Sequence, residues 1–364
     1  MKILFIGDAS NVNNTLAEGL KALGHKTLVV SDGLRWRDMK RDISLVRDYK
    51  LLGGTRYAAK LATLLPRFRN FDVVQIHNPL FVDLKASRIP YIYKYLRRHN
   101  RKVFMQALGD DWYWVNNNIK FLPLRYSDFN IGSKLRDDKC AVTQRREWLG
   151  TDKEKLSKMI AEDCDGIIAG LYEYWACYDI SLPKKTHFIP FPIKLQENLP
   201  SSFAVPKKVR IFIGLDMRRM QYKGTDIMLK AAKDIEHAYP DDVELIVARN
   251  VPFAKYQEMM NGSDIILDQL YSYTPAMNAL LAMSKGIVCV GGGEPENYEI
   301  IGEHELQPII NVEPSYDSVY HALEEIILHK DRLPMLKAQS IEYVKRHHDY
   351  IKVAKQYEQI YLGK

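Results

Sequence analysis

Three cations fall within six residues in Asp216-Met217-Arg218-Arg219-Met220-Gln221-Tyr222-Lys223-Gly224-Thr225. The run follows the apolar stretch Ile211–Gly214 and precedes a helix predicted over Gly224–Ala238. Arginine grips two oxygens at once and lysine adds a compact charge, so such a loop suits a diphosphate. A solvated basic loop is the plain alternative. A second anion site is suggested by Thr274-Pro275, a good N-cap followed by a residue suited to the first helical position. The N–H groups near Ala276, Met277 and Asn278 would then face a phosphate, although most helix starts bind only water. Carboxylates supply the other chemistry. Asp110 and Asp111 follow the strand expected at Lys102–Leu108, where either suits a sugar hydroxyl or a developing positive charge. Either serves equally well as an N-cap. Asp268-Gln269, Gly291-Gly292-Gly293 and Glu294-Pro295-Glu296 also lie just past predicted strand ends. There the glycines let backbone approach a ligand and a carboxylate accepts hydroxyl protons. A glycine turn with a solvated acid is the alternative. His77 reads as a hydrogen-bonded core residue, and with no His or Cys partner at ligand spacing no metal is assigned.

These residues need a frame that holds strand ends together. Short apolar strands are expected at Lys2–Ile6, His25–Ser31, Phe71–His77, Lys102–Leu108, Asp165–Ala169 and Thr186–Pro190, with helical material between them. The alternation pauses over 193–207, around Pro200 and Pro206, where a linker is placed. It restarts with strands Val209–Gly214, Val243–Val247, Asp264–Leu267 and Ile287–Val290. The pattern predicts an α/β chain of two doubly wound, Rossmann-like domains facing a cleft. The expected boundaries are an acceptor-side domain over 1–195, a donor-side domain over 196–345, and a helix over 346–364 returning to the first domain. No GxGxxG follows the first strand, which counts against a dehydrogenase.

Of the 364 residues, 46% are hydrophobic and 27% charged, which excludes disorder. Residues 1–195 carry 33 Lys and Arg against 21 Asp and Glu, and the remainder 19 against 24. One basic half speaks for an anionic partner met on one side of the molecule. Arg35-Trp36-Arg37, Lys40-Arg41, Arg67-Phe68-Arg69 and the basic run Arg97–Lys102 mix cations with aromatics, which suits the headgroup layer of an anionic membrane. A solvated basic surface is the alternative, and without a nucleic-acid motif no nucleic acid is expected. No stretch is long and apolar enough to span a bilayer, and Gly7-Asp8 interrupts the N-terminal apolar run too early for a signal peptide. The four cysteines are widely spaced. A cytoplasmic protein, peripheral at most to the inner face of the membrane, is expected.

Together these pieces resemble the GT-B glycosyltransferases, specifically the retaining glycosyltransferase family 4. The resemblance rests on the segment Gly214–Gly224, on Asp264-Ile265-Ile266-Leu267-Asp268-Gln269-Leu270, on Ala282-Met283-Ser284-Lys285-Gly286-Ile287-Val288, and on Gly292-Gly293-Glu294-Pro295-Glu296. Phe71–His77 and residues 109–111 are weaker matches. The resemblance implies that Arg218 and Lys223, with Arg219 as the alternate for Arg218, grip a donor diphosphate together with the helix start at Ala276–Asn278. It implies base contacts near Arg249 and Asn250, and a UDP- or GDP-sugar donor used with retention and no bound metal. The family's paired glutamates would fall at Tyr273 and Leu281, and neither is acidic. Their contacts must then come from Asn278, Asp268 or Glu296, or else they are lost and activity with them.

Two main functions follow from the resemblance. One is transfer of a sugar from a nucleotide-sugar to a cell-surface polysaccharide or glycolipid, with Asp111, Asp110 and Glu296 as candidate catalytic carboxylates. The other is a catalytically silent subunit that keeps the fold and binds a nucleotide-sugar or a partner without turnover. A phosphorylase or epimerase of similar architecture is a third reading, separated from transfer by orthophosphate dependence.

Overall fold

Runs of Val, Ile, Leu and Phe form strands buried on both faces, as a parallel sheet covered by helices requires. The computed structural model describes residues 1–33, 39–196 and 202–363. Arg35-Trp36-Arg37 and Pro200 lie outside the described residues. In the first sheet, β1 (Lys2–Ile6), β2 (Lys26–Ser31), β3 (Ile43–Ser44), β4 (Val73–Ile76) and β5 (Lys102–Ala107) come first in the chain. A small antiparallel hairpin of β6 (Asn130–Ile131) and β7 (Lys134–Leu135) stands outside that sheet. β8 (Gly166–Ala169) and β9 (Thr186–Phe188) complete it in the order β3-β2-β1-β4-β5-β8-β9, parallel throughout. The second sheet holds β10 (Val209–Leu215), β11 (Val243–Arg249), β12 (Ile265–Leu267), β13 (Val288–Gly291) and β14 (Ile310–Asn311). Its order is β11-β10-β12-β13-β14, again parallel. In each sheet the winding reverses beside the first strand, and a crevice opens beyond the strand ends at such a switch point.

The doubly wound class expected from the alternation is the one observed. Differences lie in short or polar elements. β3 and β14 have two residues each, too few to show a period, and the β6–β7 hairpin sits in a polar stretch. The tail forms two helices, Leu333–His347 and Tyr350–Leu362, divided at His348-Asp349. Asp349 restarts the helix, its carboxylate accepting the N–H groups of Ile351 and Lys352 at 3.1 and 3.0 Å.

That last helix lies against the first sheet. Val353, Ala354, Tyr357 and Tyr361 are buried there, and burying a large apolar side chain contributes about 1.5–3 kcal/mol. Their polar ends find partners: Tyr361 Oη donates to Gln75 Oε1 at 2.6 Å, and Gln106 donates to Tyr357 Oη at 3.2 Å. Gly19 in the helix Val12–Ala22 permits the contact. A Cβ there would stand 2.4 Å from the Tyr350 carbonyl oxygen. At the end of β1, Gly7 has φ +81°, and a Cβ would lie 1.8 Å from His77 Nδ1. The tight turn brings the next loop to the carboxyl edge of the sheet.

Candidate active site

A cavity of about 630 Å³ opens between the carboxyl ends of the two sheets, within the usual range for small-molecule sites. The loop after β1 contributes Ala9, Ser10 and Asn11 to one wall, with Ser10 and Asn11 both at positive φ. The second sheet contributes the segments after β10, β11 and β12 to the other. Residues separated by hundreds of positions meet here because the segments that follow strands of both sheets end on the cleft.

The basic segment after β10 folds differently from a plain loop. Met220–Lys223 makes one helical turn, closed by Gly224 at φ +68°, before the helix Thr225–Ala238 begins. This turn separates the three cations. Arg219 and Lys223 line the cavity. Arg218 does not: its side chain is 82% exposed, with Asp216 at 3.9 Å. The first half answers both inward cations with carboxylates. Asp128 Oδ2 lies 2.9 Å from Lys223 Nζ, and Asp110 Oδ2 lies 3.7 Å from Arg219. Tyr222 Oη donates to the other oxygen of Asp110 at 2.6 Å. Burial pushes the Asp110 carboxyl upward, and the Arg219 charge opposes that.

The second anion site is built otherwise than the sequence suggests. The helix runs Met277–Met283, and its N-cap position is Ala276 rather than Thr274. Thr274 stands two residues before the N-cap, and its Oγ1 donates to Glu173 Oε2 at 2.6 Å. The Ala276 N–H donates to Asp268 Oδ2 at 3.1 Å. Asp268 therefore fills a place where a phosphate would meet N–H groups, and burial raises its carboxyl to about 6. Ala276, Met277 and Asn278 still line the cavity, as does Asn250. Arg249 is exposed and is not among the residues that line the cavity.

The three candidate catalytic carboxylates are engaged elsewhere. Asp111 caps the helix Trp112–Ile119, accepting the Trp114 N–H at 2.8 Å and the Tyr178 hydroxyl. Burial raises it to about 6. Asp110 is taken by Tyr222 and Arg219, and Glu296 pairs with Arg125. Among the described residues lining the cavity, none of these three side chains is found. Glu294 and Tyr273 belong to a second bridge between the halves. Glu294 accepts the Tyr126 hydroxyl at 2.6 Å and an Arg125 N–H at 2.8 Å. Tyr273 stacks on Tyr126 with ring centroids 4.6 Å apart. Gly292 and Gly293 are buried beneath them: a Cβ on Gly292 would stand 2.2 Å from the Ser272 carbonyl oxygen. Among the described residues, the backbone brought close by these glycines is the chain's own.

Sequence reasoning missed Asp128, Glu173 and Arg136. Arg136 donates to the Gln221 and Tyr222 carbonyls at 2.5 and 3.0 Å, which fixes the turn carrying Lys223. Its guanidinium lies 3.6 Å from the centre of the Tyr271 ring. These residues sit in the first half and meet the second only in space, so no local spacing announces them.

Comparison with solved structures fits this geometry. The chain aligns over 100% of its length with 98% of sucrose-phosphate synthase from Thermosynechococcus elongatus, at TM-score 0.62 and 13% identity. Anabaena HepE in complex with UDP-glucose aligns over 100% of both chains at TM-score 0.61 and 13% identity. The fold is GT-B. A Staphylococcus aureus TarM variant in complex with fondaparinux, alpha-GlcNAc-glycerol and UDP aligns with 84% of this chain and 59% of its own at TM-score 0.56 and 9% identity. No family model matches the sequence, and no curated protein matches it. In GT-B terms the cavity is the interdomain cleft, with Arg219 and Lys223 on its second-domain wall.

The basic surface also differs from expectation. Phe68 is 1% exposed, so the aromatic of Arg67-Phe68-Arg69 faces the core. Arg97 pairs with Asp165 at 2.6 Å, and Lys102 donates to the Tyr361 carbonyl at 2.8 Å. Exposed apolar side chains lie elsewhere, on Tyr49, Leu51, Leu52 and Tyr91, with Leu51 87% exposed. The segments that carry them are rich in cations, with Asp48 and Asp83 beside Arg56 and Tyr49. Residues 49–71 carry five Lys or Arg, residues 85–102 carry seven, and neither has an Asp or Glu. Among the described residues no helix is long and apolar enough to cross a membrane, and no group of three His, Cys, Asp or Glu is placed to hold a metal ion.

Proposed function

We propose that this chain is a glycosyltransferase that moves a sugar from a nucleoside diphosphate sugar to a glycan or lipid-linked acceptor. The observation that carries the reading is the placement of Arg219 and Lys223 on the wall of an interdomain cavity large enough for a nucleotide-sugar. Cations held there neutralise charge growing on the departing diphosphate, an electrostatic contribution that weighs heavily in group transfer. Asn250 and Val251 after β11 line the same cavity, which supports a base contact there, and the loop Ala9–Asn11 lines it from the first half. UDP in the HepE and TarM structures favours a UDP-sugar donor over a GDP-sugar. The family 4 resemblance adds retention at the anomeric carbon and a polysaccharide or glycolipid product.

The exposed Leu51 and Leu52, within a segment over 49–71 that carries five Lys or Arg and no acid, support peripheral contact with an anionic membrane, where a lipid-linked acceptor would be met. Incubation with a UDP-, GDP-, ADP- and CMP-sugar panel tests the enzymatic reading through release of free nucleotide. Release that disappears in Lys223→Ala supports it, and no release from any donor removes it. A silent binding subunit is the second reading, favoured by the absence of a carboxylate at Tyr273 and Leu281. Nucleotide binding without release in the same panel would select it.

A further inference from the structure

Glu173 is a buried acid in the cavity wall to which none of the preceding chemistry gives a task. It stands in the first turn of the helix Tyr172–Asp179, in the first half, yet both of its oxygens are held from the opposite half. Ser272 Oγ lies 2.7 Å from Oε1, and Thr274 Oγ1 donates to Oε2 at 2.6 Å. The residue is 4% exposed and lines the cavity, near enough to Lys223 to feel its charge.

The proton count around it is informative. Ser272 has one hydroxyl proton and two acceptors at 2.7 Å, the Glu173 carboxyl and the Thr274 carbonyl. When that proton goes to the carbonyl, the contact with Glu173 is a hydrogen bond only if the carboxyl carries its own proton and donates it to Ser272. Burial, which pushes the Glu173 carboxyl upward against the hydroxyls of Thr274 and Ser272, favours that protonated form. The ionised form accepts from both hydroxyls and keeps lone pairs for a further donor, whereas the protonated form spends its proton on Ser272. A sugar hydroxyl that donates to the ionised carboxylate makes a charged hydrogen bond, so sugar binding follows the deprotonated form.

Among the other carboxyls lining the cavity, Asp268 accepts the Ala276 N–H from its own half and Asp128 is paired with Lys223, and positions 273 and 281 hold Tyr and Leu. We propose that Glu173 reaches across the cleft to hold a hydroxyl of the sugar carried by the donor nucleotide, an inference that rests on the donor reading above. Because Ser272 and Thr274 belong to the other half, the contact is complete only with the two halves together. Sugar recognition is thereby tied to closure of the cleft.

The test titrates UDP and UDP-glucose calorimetrically into wild-type protein, Glu173→Gln and Thr274→Val. In Glu173→Gln, UDP binds within about twofold of wild type, while the affinity ratio of UDP-glucose to UDP falls by about tenfold, as loss of one charged hydrogen bond gives. Thr274→Val removes a donor to the charged carboxyl, so the pH midpoint of that ratio moves upward. A merely structural Glu173 would shift both ligands together and leave the ratio and its midpoint unchanged, which overturns the proposal. If Glu173→Gln fails to fold, the midpoint in Thr274→Val decides. A wild-type protein that binds neither ligand removes the donor reading and this inference with it. Binding of both with an unchanged ratio removes this inference alone.

Discussion

Lys223→Ala separates what the ammonium group does for the fold from what it does for a ligand. In the free protein Nζ lies 2.9 Å from Asp128 Oδ2, with Lys223 24% and Asp128 4% exposed. Removing one member of a buried pair leaves the other charge without a partner, which costs about 3–5 kcal/mol when both are fully buried. The residual exposure of Lys223 places its cost toward the lower end of that range. The ligand effect is separate. A charged hydrogen bond to a phosphate oxygen contributes about 1.5–3 kcal/mol, or roughly 10- to 150-fold in Kd. Combining Lys223→Ala with Asp128→Asn removes the stranded charge, so urea melting should show most of the stability restored. Calorimetric titration with UDP should show affinity still lost in the double variant. Asp128→Asn alone frees Lys223 for the diphosphate and should tighten UDP binding. Recovery of UDP affinity in the double variant, or an unchanged Kd in Lys223→Ala, would refute the assignment of Lys223 to the phosphates.

Asp111→Ala removes a helix cap and leaves the Tyr178 hydroxyl without its acceptor, so urea melting should show a loss of about 1–2 kcal/mol or more. Asp111→Asn, which keeps an acceptor, should lose less. Burial raises the carboxyls of Asp8 to about 7 and of Asp111 and Asp268 to about 6. The folded protein holds those protons where the unfolded chain has released them, so their contribution to stability falls as pH rises from about 4 to about 7. Chemical melting at pH 5 and pH 8 checks the direction, and Asp8→Asn should flatten the dependence. Leu51→Asp combined with Leu52→Asp should abolish flotation with anionic liposomes at low salt while leaving UDP affinity unchanged. Flotation that persists in this variant removes the apolar loop from the membrane contact.

The frame was legible because it depends on composition over several residues. Strands such as Leu4-Phe5-Ile6 and Ile211-Phe212-Ile213 are apolar on both faces, and that alone requires cover on both sides of a sheet. The cationic turn was legible as a set of residues but not as a geometry. Arg218 and Arg219 are neighbours in sequence, and only the helical turn Met220–Lys223 decides which of them faces the cleft. Thr274-Pro275 carried a sound capping signal, but the helix begins with Ala276 as its N-cap, and the Thr274 hydroxyl donates to a buried carboxylate of the other half. Asp111 shows the converse: its capping signal was as strong as any catalytic one, and the structure uses it. Partners from across the cleft, Asp128 and Glu173 above all, leave no local pattern, because their spacing to Lys223 and Thr274 is set by how the two sheets meet.

The binding of a nucleoside diphosphate between the two sheets is tested most directly by titrating UDP, and uridine as its phosphate-free control, into the wild-type protein and into Arg219→Ala. The cleft reading predicts one UDP per chain in the micromolar-to-millimolar range of about 1 μM–1 mM, uridine bound far more weakly, and at least a tenfold loss for UDP in Arg219→Ala. Equal binding of UDP and uridine, or UDP binding untouched by the loss of Arg219, would contradict it.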